Sequence, residues 1–252
     1  MSKCFLGYPL ATKSQYGIVQ CKKIIDVTND VKSFIFETYK PIFFVPGQNA
    51  TFSFRMGDLS NSRTWTLTGS PEKKSLEVTI KRKEGGLVSN WMLDKLKIGS
   101  QLNLVDVDGR FGIFMMKELP KKMLFISGGI GITPFISILR RLNELSISKL
   151  DIILVHSESL EIPFHQELTK ISKKLTNLKI FFKFTKSEKT FENEERILYS
   201  KGRVSKEFFE KSIDDFKERE IFLCGPDFFM DTCILAFHAL GKEDIHVESF
   251  DY

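Results

Sequence analysis

The apolar positions change their period partway along the chain. From Tyr16 to about Thr38 they alternate with polar positions and are rich in β-branched and aromatic residues, the period-two pattern of strands with one buried face, and short strand candidates continue to residue 107. Residues 18–21, 31–36, 50–54, 63–68, 75–82 and 101–107 are the predicted strands. Asn29-Asp30, Pro46-Gly47-Gln48, Gly69-Ser70-Pro71 and Ile98-Gly99-Ser100 supply turns between them. Six short strands with regular turns predict a small antiparallel β-barrel. Only residues 87–96 break the pattern, where Leu87, Trp91 and Leu96 are spaced for a short helix.

Beyond residue 120 the pattern is one of unbroken apolar runs, at 122–127, 151–156, 179–184, 220–224 and 245–250. Such runs mark strands covered on both faces by helices. Helical spacing lies between most of them. Phe135, Ile138, Leu139 and Leu142 share one face, as do Phe164, Leu168, Ile171 and Leu175. Met230, Cys233, Ile234 and Phe237 share another, and that helix is predicted to end at Gly241. Alternating strand and helix predicts a doubly wound parallel α/β sheet. The change of period falls near Met116–Pro120, which divides the chain into a barrel domain at 1–118 and an α/β domain at 119–252.

Composition narrows the function classes. Of 252 residues, 42% are hydrophobic and 27% charged, as in ordinary globular proteins. A balance of 37 basic against 32 acidic residues leaves +5, too small and too dispersed for a nucleic-acid footprint. The four cysteines (Cys4, Cys21, Cys224 and Cys233) have neither zinc nor iron–sulphur spacing, and the four histidines show no metal spacing either. A reducing compartment such as the cytoplasm fits them, and no signal peptide or membrane span is expected.

Three stretches carry candidate chemistry. Met123–Ile126 leads into Gly128-Gly129-Ile130-Gly131, then Thr133 as a helix N-cap and Pro134 at the first helical position. A buried strand, a glycine turn and a helix N-terminus make an anion site suited to a dinucleotide pyrophosphate; the bland alternative is a tight turn with no ligand. Arg63-Thr64-Trp65-Thr66 offers a phosphate ligand, a ring to stack and a hydroxyl, though by itself it reads first as an exposed strand with a cross-strand aromatic pair. Gly85-Gly86-Leu87-Val88-Ser89 is a second glycine-led helix start.

Taken in order, R-x-aromatic-hydroxyl, G-G-x-x-S, G-G-x-G-x-x-P, Cys224-Gly225-Pro226 and Glu248-x-Phe250 resemble the ferredoxin–NADP reductase-like flavoprotein superfamily. The likeness runs from about residue 16 to Phe250, and is strongest to the reductase modules of flavohaemoglobins, oxygenase electron-transfer components and hybrid-cluster protein reductase. It implies FAD, with FMN less expected, and NADH or NADPH as electron donor. Arg63 would meet the flavin phosphate, Trp65 would lie along the ring system, and Thr66 would bond near flavin N5. Lys81, Gly86, Leu87, Val88 and Ser89 would flank the FAD pyrophosphate. Gly129, Gly131, Thr133 and Pro134 would receive the nicotinamide dinucleotide. Cys224 would sit beside nicotinamide C4 as a neutral thiol, with Gly225 and Pro226 shaping the turn. Glu248 and Phe250 would return over the flavin. Relatives usually carry tyrosine at Trp65 and serine at Thr66.

NADP-preferring relatives often place arginine after the second sheet strand, where this chain has Glu158. A carboxylate there would repel a 2′-phosphate and accept from a 2′-hydroxyl, which favours NADH; Arg203 and Lys186 keep NADPH open. The implied function is an NAD(P)H:acceptor oxidoreductase that delivers electrons to a separate iron–sulphur or haem protein, since no fused acceptor domain is evident. A non-catalytic flavin sensor and an electron-transfer subunit of a larger complex are the alternatives.

Overall fold

The computed structural model describes residues 16–71, 74–147, 149–187 and 190–249; Phe250 lies outside them. Contacts divide the chain into two compact units. The first runs to Leu119 and takes in Ile136–Arg141, and the second comprises Pro120–Phe135 and Leu142 onward.

The first unit is a six-stranded antiparallel sheet. Its strands are β1 (Gly17–Thr28), β2 (Val31–Glu37), β3 (Asn49–Met56), β4 (Leu59–Thr66), β5 (Ser75–Lys81) and β6 (Gln101–Asp108), in the order β4-β3-β6-β1-β2-β5. The two edges meet just past β4, where Leu67 bridges Val78 of β5 and the Thr68 N–H donates to the Glu77 carbonyl at 2.8 Å. Closure leaves no long row of unpaired backbone groups at that edge. Alternation decides which side chains line the interior: Ala50, Phe52 and Phe54 of β3 point inward with Phe34 and Phe36 of β2.

Helix α1 (Leu87–Lys95) covers one part of this core, and of the residues its spacing sets on that face Leu96 is buried and Trp91 packs against the core, while Leu87 does not. Val88, Met92 and Leu93 are buried, whereas Leu87 is 61% exposed. A side chain at the first helical residue leans back toward the N-terminus, beyond the surface that the helix covers.

The second unit holds a six-stranded sheet, every pairing parallel. Its strands are β7 (Lys122–Gly128), β8 (Asp151–Glu158), β9 (Leu178–Phe184), β10 (Ile197–Lys201), β11 (Glu220–Gly225) and β12 (Ile245–Ser249), in the order β10-β9-β8-β7-β11-β12. Strand β10 is one that the apolar runs do not reveal. The helices of this half of the chain are α2 (Thr133–Glu144), whose Ile136–Arg141 segment groups with the first unit, α3 (His165–Lys174), α4 (Lys206–Ser212, also unforeseen) and α5 (Asp227–Ala239). Leu124, Ile126, Val155, Ile221 and Leu223 of the sheet pack with Phe209 and Phe237 from α4 and α5.

At the amino ends of the central strands, the buried Arg219 guanidinium ties three segments together. It donates to both Asp215 oxygens at 2.6 and 2.9 Å, to both Asp151 oxygens at 2.9 and 3.1 Å, and to the Met123 carbonyl at 3.2 Å. These carboxylates hold the guanidinium pKa above its usual value despite burial, and Asp215 is held below its own by Arg219 and Lys122.

Candidate functional site

In the first unit, β4 carries Arg63, Trp65 and Thr66 opposite β3, with Phe52, Ala50 and Asn49 as their respective partners. Arg63 is exposed and spends one N–H on the neighbouring Ser62 carbonyl at 2.7 Å, which leaves most of its fork for an anion. Trp65 is half-buried and stacks on Phe54 at 6.1 Å, and Phe54 stacks in turn on Trp91 at 5.3 Å. The aromatic-pair reading of this strand is therefore realised, and the ring is fixed by packing. Thr66 is 3% exposed, and its Oγ1 has no hydrogen-bond partner within the protein. A buried hydroxyl without a partner costs about 1–3 kcal/mol unless something supplies one.

The glycine-led start of α1 is built locally. Gly86 is its N-cap residue and no side chain caps the helix, so its first N–H groups are available to an anion. Ser89 turns back to accept the Lys83 N–H at 3.1 Å. A Cβ on Gly86 would come within 2.6 Å of Ser89 Oγ, so a side chain there crowds the serine, although the backbone conformation itself suits any residue. Lys81 leans toward Asp30, 3.7 Å away, rather than standing isolated.

In the second unit, helical geometry begins earlier than the sequence reading has it. Thr133 is not an N-cap: its φ of −60° and ψ of −43° are helical, and its hydroxyl donates back to the Ile130 carbonyl at 3.0 Å. A 3₁₀ turn over Gly129–Ile132 precedes α2, so the uncapped N–H groups are those of the glycine run itself. Pro134 then falls in the first turn of α2, where its missing donor costs little.

Packing, more than flexibility, explains the glycines. A Cβ on Gly131 would lie 2.3 Å from the Cys224 carbonyl oxygen, and one on Gly128 or Gly225 would lie 2.8 Å from the Phe229 ring. Phe229 thus braces two predicted glycines at once, a role no spacing in the sequence announces. Only Gly129, at φ +55°, needs a left-handed backbone, and a side chain there would face Glu158 Oε2 at 3.9 Å. Glu158 is 5% exposed, and its Oε1 accepts the Ser159 N–H at 2.7 Å and hydroxyl at 3.1 Å. Its carboxylate therefore stands beside the glycine turn. Beneath that turn Ser127 Oγ meets His156 Nδ1 at 2.9 Å, both fully buried.

Cys224 and Glu248 lie level with one another across β11 and β12. Burial first, then the Glu248 charge, pushes the Cys224 thiol well above its usual pKa, so it stays protonated at neutral pH. Pro226 caps the start of α5. Arg203 stands elsewhere, exposed, with its guanidinium 5.7 Å from the Phe228 ring centre. Among the described residues, no group of three or more His, Cys, Asp and Glu side chains could hold a metal ion, and no helix is long and apolar enough to cross a membrane.

The residues fit their expected ligands: a buried hydroxyl without a partner in the barrel, and two glycine-led helix starts open to phosphates. Comparison with known proteins supports the two cofactor-binding domains. Residues 19–114 match the oxidoreductase FAD-binding domain, and residues 125–234 the oxidoreductase NAD-binding domain. The glycine betaine monooxygenase reductase subunit of Pseudomonas aeruginosa is 34% identical over 99% of this chain and 69% of its own length. The chain spans 63 to 69% of the oxygenase reductase components that it matches. The fold is shared with the cytochrome b5 reductase domain of Ulva prolifera nitrate reductase (TM-score 0.80, 18% identity, 96% of this chain and all of that one). It is shared too with a ferredoxin NADP+ reductase from Neisseria gonorrhoeae with bound FAD and NADP (TM-score 0.73, 19% identity, 93% and 98%). The chain belongs to the ferredoxin–NADP reductase-like flavoprotein oxidoreductases, and it is an NAD(P)H-dependent flavoenzyme with an FAD-binding and an NAD-binding domain.

Proposed function

We propose that this chain takes electrons preferentially from NADH and delivers them to a separate iron–sulphur or haem protein of an oxygenase system. The observation that carries the flavin assignment to particular residues is the partnerless Thr66 Oγ1, on the strand that presents Arg63 and Trp65. FAD, when bound, accepts hydride from reduced nicotinamide and passes the electrons on. Around it, Thr66 gives or takes the hydrogen bond at the reacting edge of the ring. Arg63 and the open start of α1 bind its phosphates, and Lys81 adds positive charge near them. Trp65, held by Phe54, fixes the plane against which the ring is stacked.

For the donor, the uncapped run from Gly129 through Gly131, with Thr133 and Pro134 in the turn that follows, binds pyrophosphate. Cys224 acts as a neutral thiol, through its size and polarisability, and Gly225 with Pro226 keeps the strand end narrow. Glu248 positions or handles a proton beside it, and Phe250 is assigned the shielding role. The buried Glu158 carboxylate beside Gly129 supports NADH over NADPH, because a 2′-phosphate would meet a second negative charge with little water between them. The names of the matching reductase subunits and components support an oxygenase as the acceptor's owner.

The test is anaerobic titration of the purified, yellow protein with each nicotinamide. NADH should bleach the flavin at far lower concentration than NADPH, and Glu158→Arg should narrow that gap. An Arg63→Ala protein should be purified with most of its flavin missing. Full flavin content in that variant would remove Arg63 from the site, and unchanged donor selectivity would remove Glu158.

A further inference from the structure

Strand β4 carries Arg63, Trp65 and Thr66, yet it has little apolar burial to hold it in place. It is an edge strand, and along its eight residues only Thr66 is buried. Pairing with β3 fixes one side. On the other side the chain is tied down just past the strand's end, where Leu67 bridges Val78 and the Thr68 N–H donates to the Glu77 carbonyl. A cation from far along the chain stands on that closure. Arg140 of α2, in the segment that groups with the first unit, donates from Nη1 to the Thr68 carbonyl and to Glu77 Oε1, both at 2.7 Å. Glu77 Oε1 also accepts the Thr68 hydroxyl at 3.1 Å, and that hydroxyl lies 3.1 Å from Thr79 Oγ1.

Stability alone does not account for this arrangement. The Arg140 and Glu77 side chains are 19% and 16% exposed, so both charges give up most of their water. A well-packed apolar pair would serve the barrel as well or better. An apolar pair cannot, however, hold a carbonyl and a carboxylate at once. The guanidinium grips both sides of the seam through groups whose direction matters, the Thr68 carbonyl on one and the Glu77 side chain on the other. Thr68 is two residues from Thr66, and Leu67 between them donates its N–H to the Gln48 carbonyl at 2.9 Å. Backbone this short carries a shift at Thr68 to the Thr66 hydroxyl, which no hydrogen bond within the protein orients.

We propose that Arg140 is a positioning residue for the flavin: by clamping Thr68 to Glu77 it holds the end of β4 where the Thr66 hydroxyl meets the ring. This rests on the reading of Thr66 given above and deepens it. Arg140 acts through Thr66 and not on the flavin itself, so its effect on FAD exists only while that hydroxyl is present.

The experiment titrates flavin-free protein with FAD and reads the dissociation constant from flavin fluorescence. It compares wild type with Thr66→Val, Arg140→Gln, Arg140→Lys and each Arg140 variant combined with Thr66→Val. Thr66→Val should weaken FAD about tenfold, the size of one hydrogen bond. Arg140→Gln should cost about the same with Thr66 in place, but less than about twofold in the Thr66→Val background. Arg140→Lys keeps the charge and a donor, so it should fall between wild type and Arg140→Gln. If the glutamine variant does not fold, the lysine pair carries the same comparison. Unchanged FAD affinity in the Arg140 variants overturns the proposal. So does an equal loss in both backgrounds, which is what a seam that only stabilises the barrel would give. If Thr66→Val binds FAD as tightly as wild type, the Thr66 reading itself has failed, and Arg140 has nothing to position.

Discussion

Two helix starts in this protein look alike in sequence and are built on opposite plans. Gly86 opens α1 in the first unit, and the run beginning at Gly129 leads into α2. Neither is capped by a side chain. At α1, however, everything that demands glycine is within three residues: Ser89 Oγ and the Lys83 side chain and carbonyl. At the second start the demand comes from far along the chain. Gly131 abuts the backbone of Cys224 and Gly225, and Gly128 abuts Phe229. The first helix start is a local turn, whereas the second is a seam between strand ends. A mutation in the first can be compensated by its neighbour, and one in the second cannot.

The largest effect should come from Gly131→Ala. Its new methyl would meet a backbone carbonyl that belongs to a central strand, so the seam must open. We expect a loss of about 3 kcal/mol in urea unfolding of the second unit, together with loss of NADH binding while flavin content is kept. A fully stable variant that still binds NADH would show that the seam is looser than drawn.

The opposite end of the same sheet provides a second distributed junction. Arg219→Ala leaves Asp151 and Asp215 without their shared cation, and because both carboxylates keep some water the cost should be roughly 2–3 kcal/mol. NADH affinity should be nearly untouched, since the clamp is at the amino ends of the strands.

Gly86→Ala should cost only about 1 kcal/mol because its φ of −73° suits any residue and the atoms it meets are mostly side chain. The double variant Gly86→Ala/Ser89→Ala should recover much of the loss. Failure of that rescue would contradict the local character of the site.

The smallest effect is on pH dependence. Burial pushes the His165 pKa below the usual 6.5, only partly offset by Glu194, so the folded protein keeps the ring neutral against Tyr199, 2.8 Å away. The unfolded chain binds the proton first as pH falls. The contribution is therefore fully present above about pH 6.5 and is lost as pH drops through the lower folded-state value. Melting temperature should decline on that side more steeply in wild type than in His165→Gln, a difference worth under about 1 kcal/mol.

Much of this architecture is legible from periodicity, for physical reasons. Strand β3 buries every second residue, β2, β5 and β6 come close to it, and β7, β8, β9 and β11 are covered on both faces, so both patterns are written in the residues. Strand β10 escapes because Ile197–Lys201 is short, half-exposed and at the sheet's edge, with only Ile197 well buried. Helix α4 is only seven residues long, but it did carry a signal: Ser205 accepts the Phe208 N–H, with Glu207 in the first turn and Lys211 in the last. At the sites, residue types were readable and their partners were not. Thr133 resembles a cap beside Pro134, but a 3₁₀ turn over Gly129–Ile132 precedes it and its own backbone is already helical. That Phe229 pads Gly128, or that Glu158 faces Gly129, depends on which strands are neighbours.

The unmatched Thr66 hydroxyl also bears on the life of the newly made polypeptide. On the proposed assignment, the barrel carries a destabilising penalty in its own wall until flavin supplies that partner. Cofactor loading adds stability in proportion to the logarithm of free FAD over its dissociation constant. Chains made when riboflavin-derived cofactor is scarce would open more often and be degraded sooner, so the cell's vitamin supply would set how much of this reductase survives.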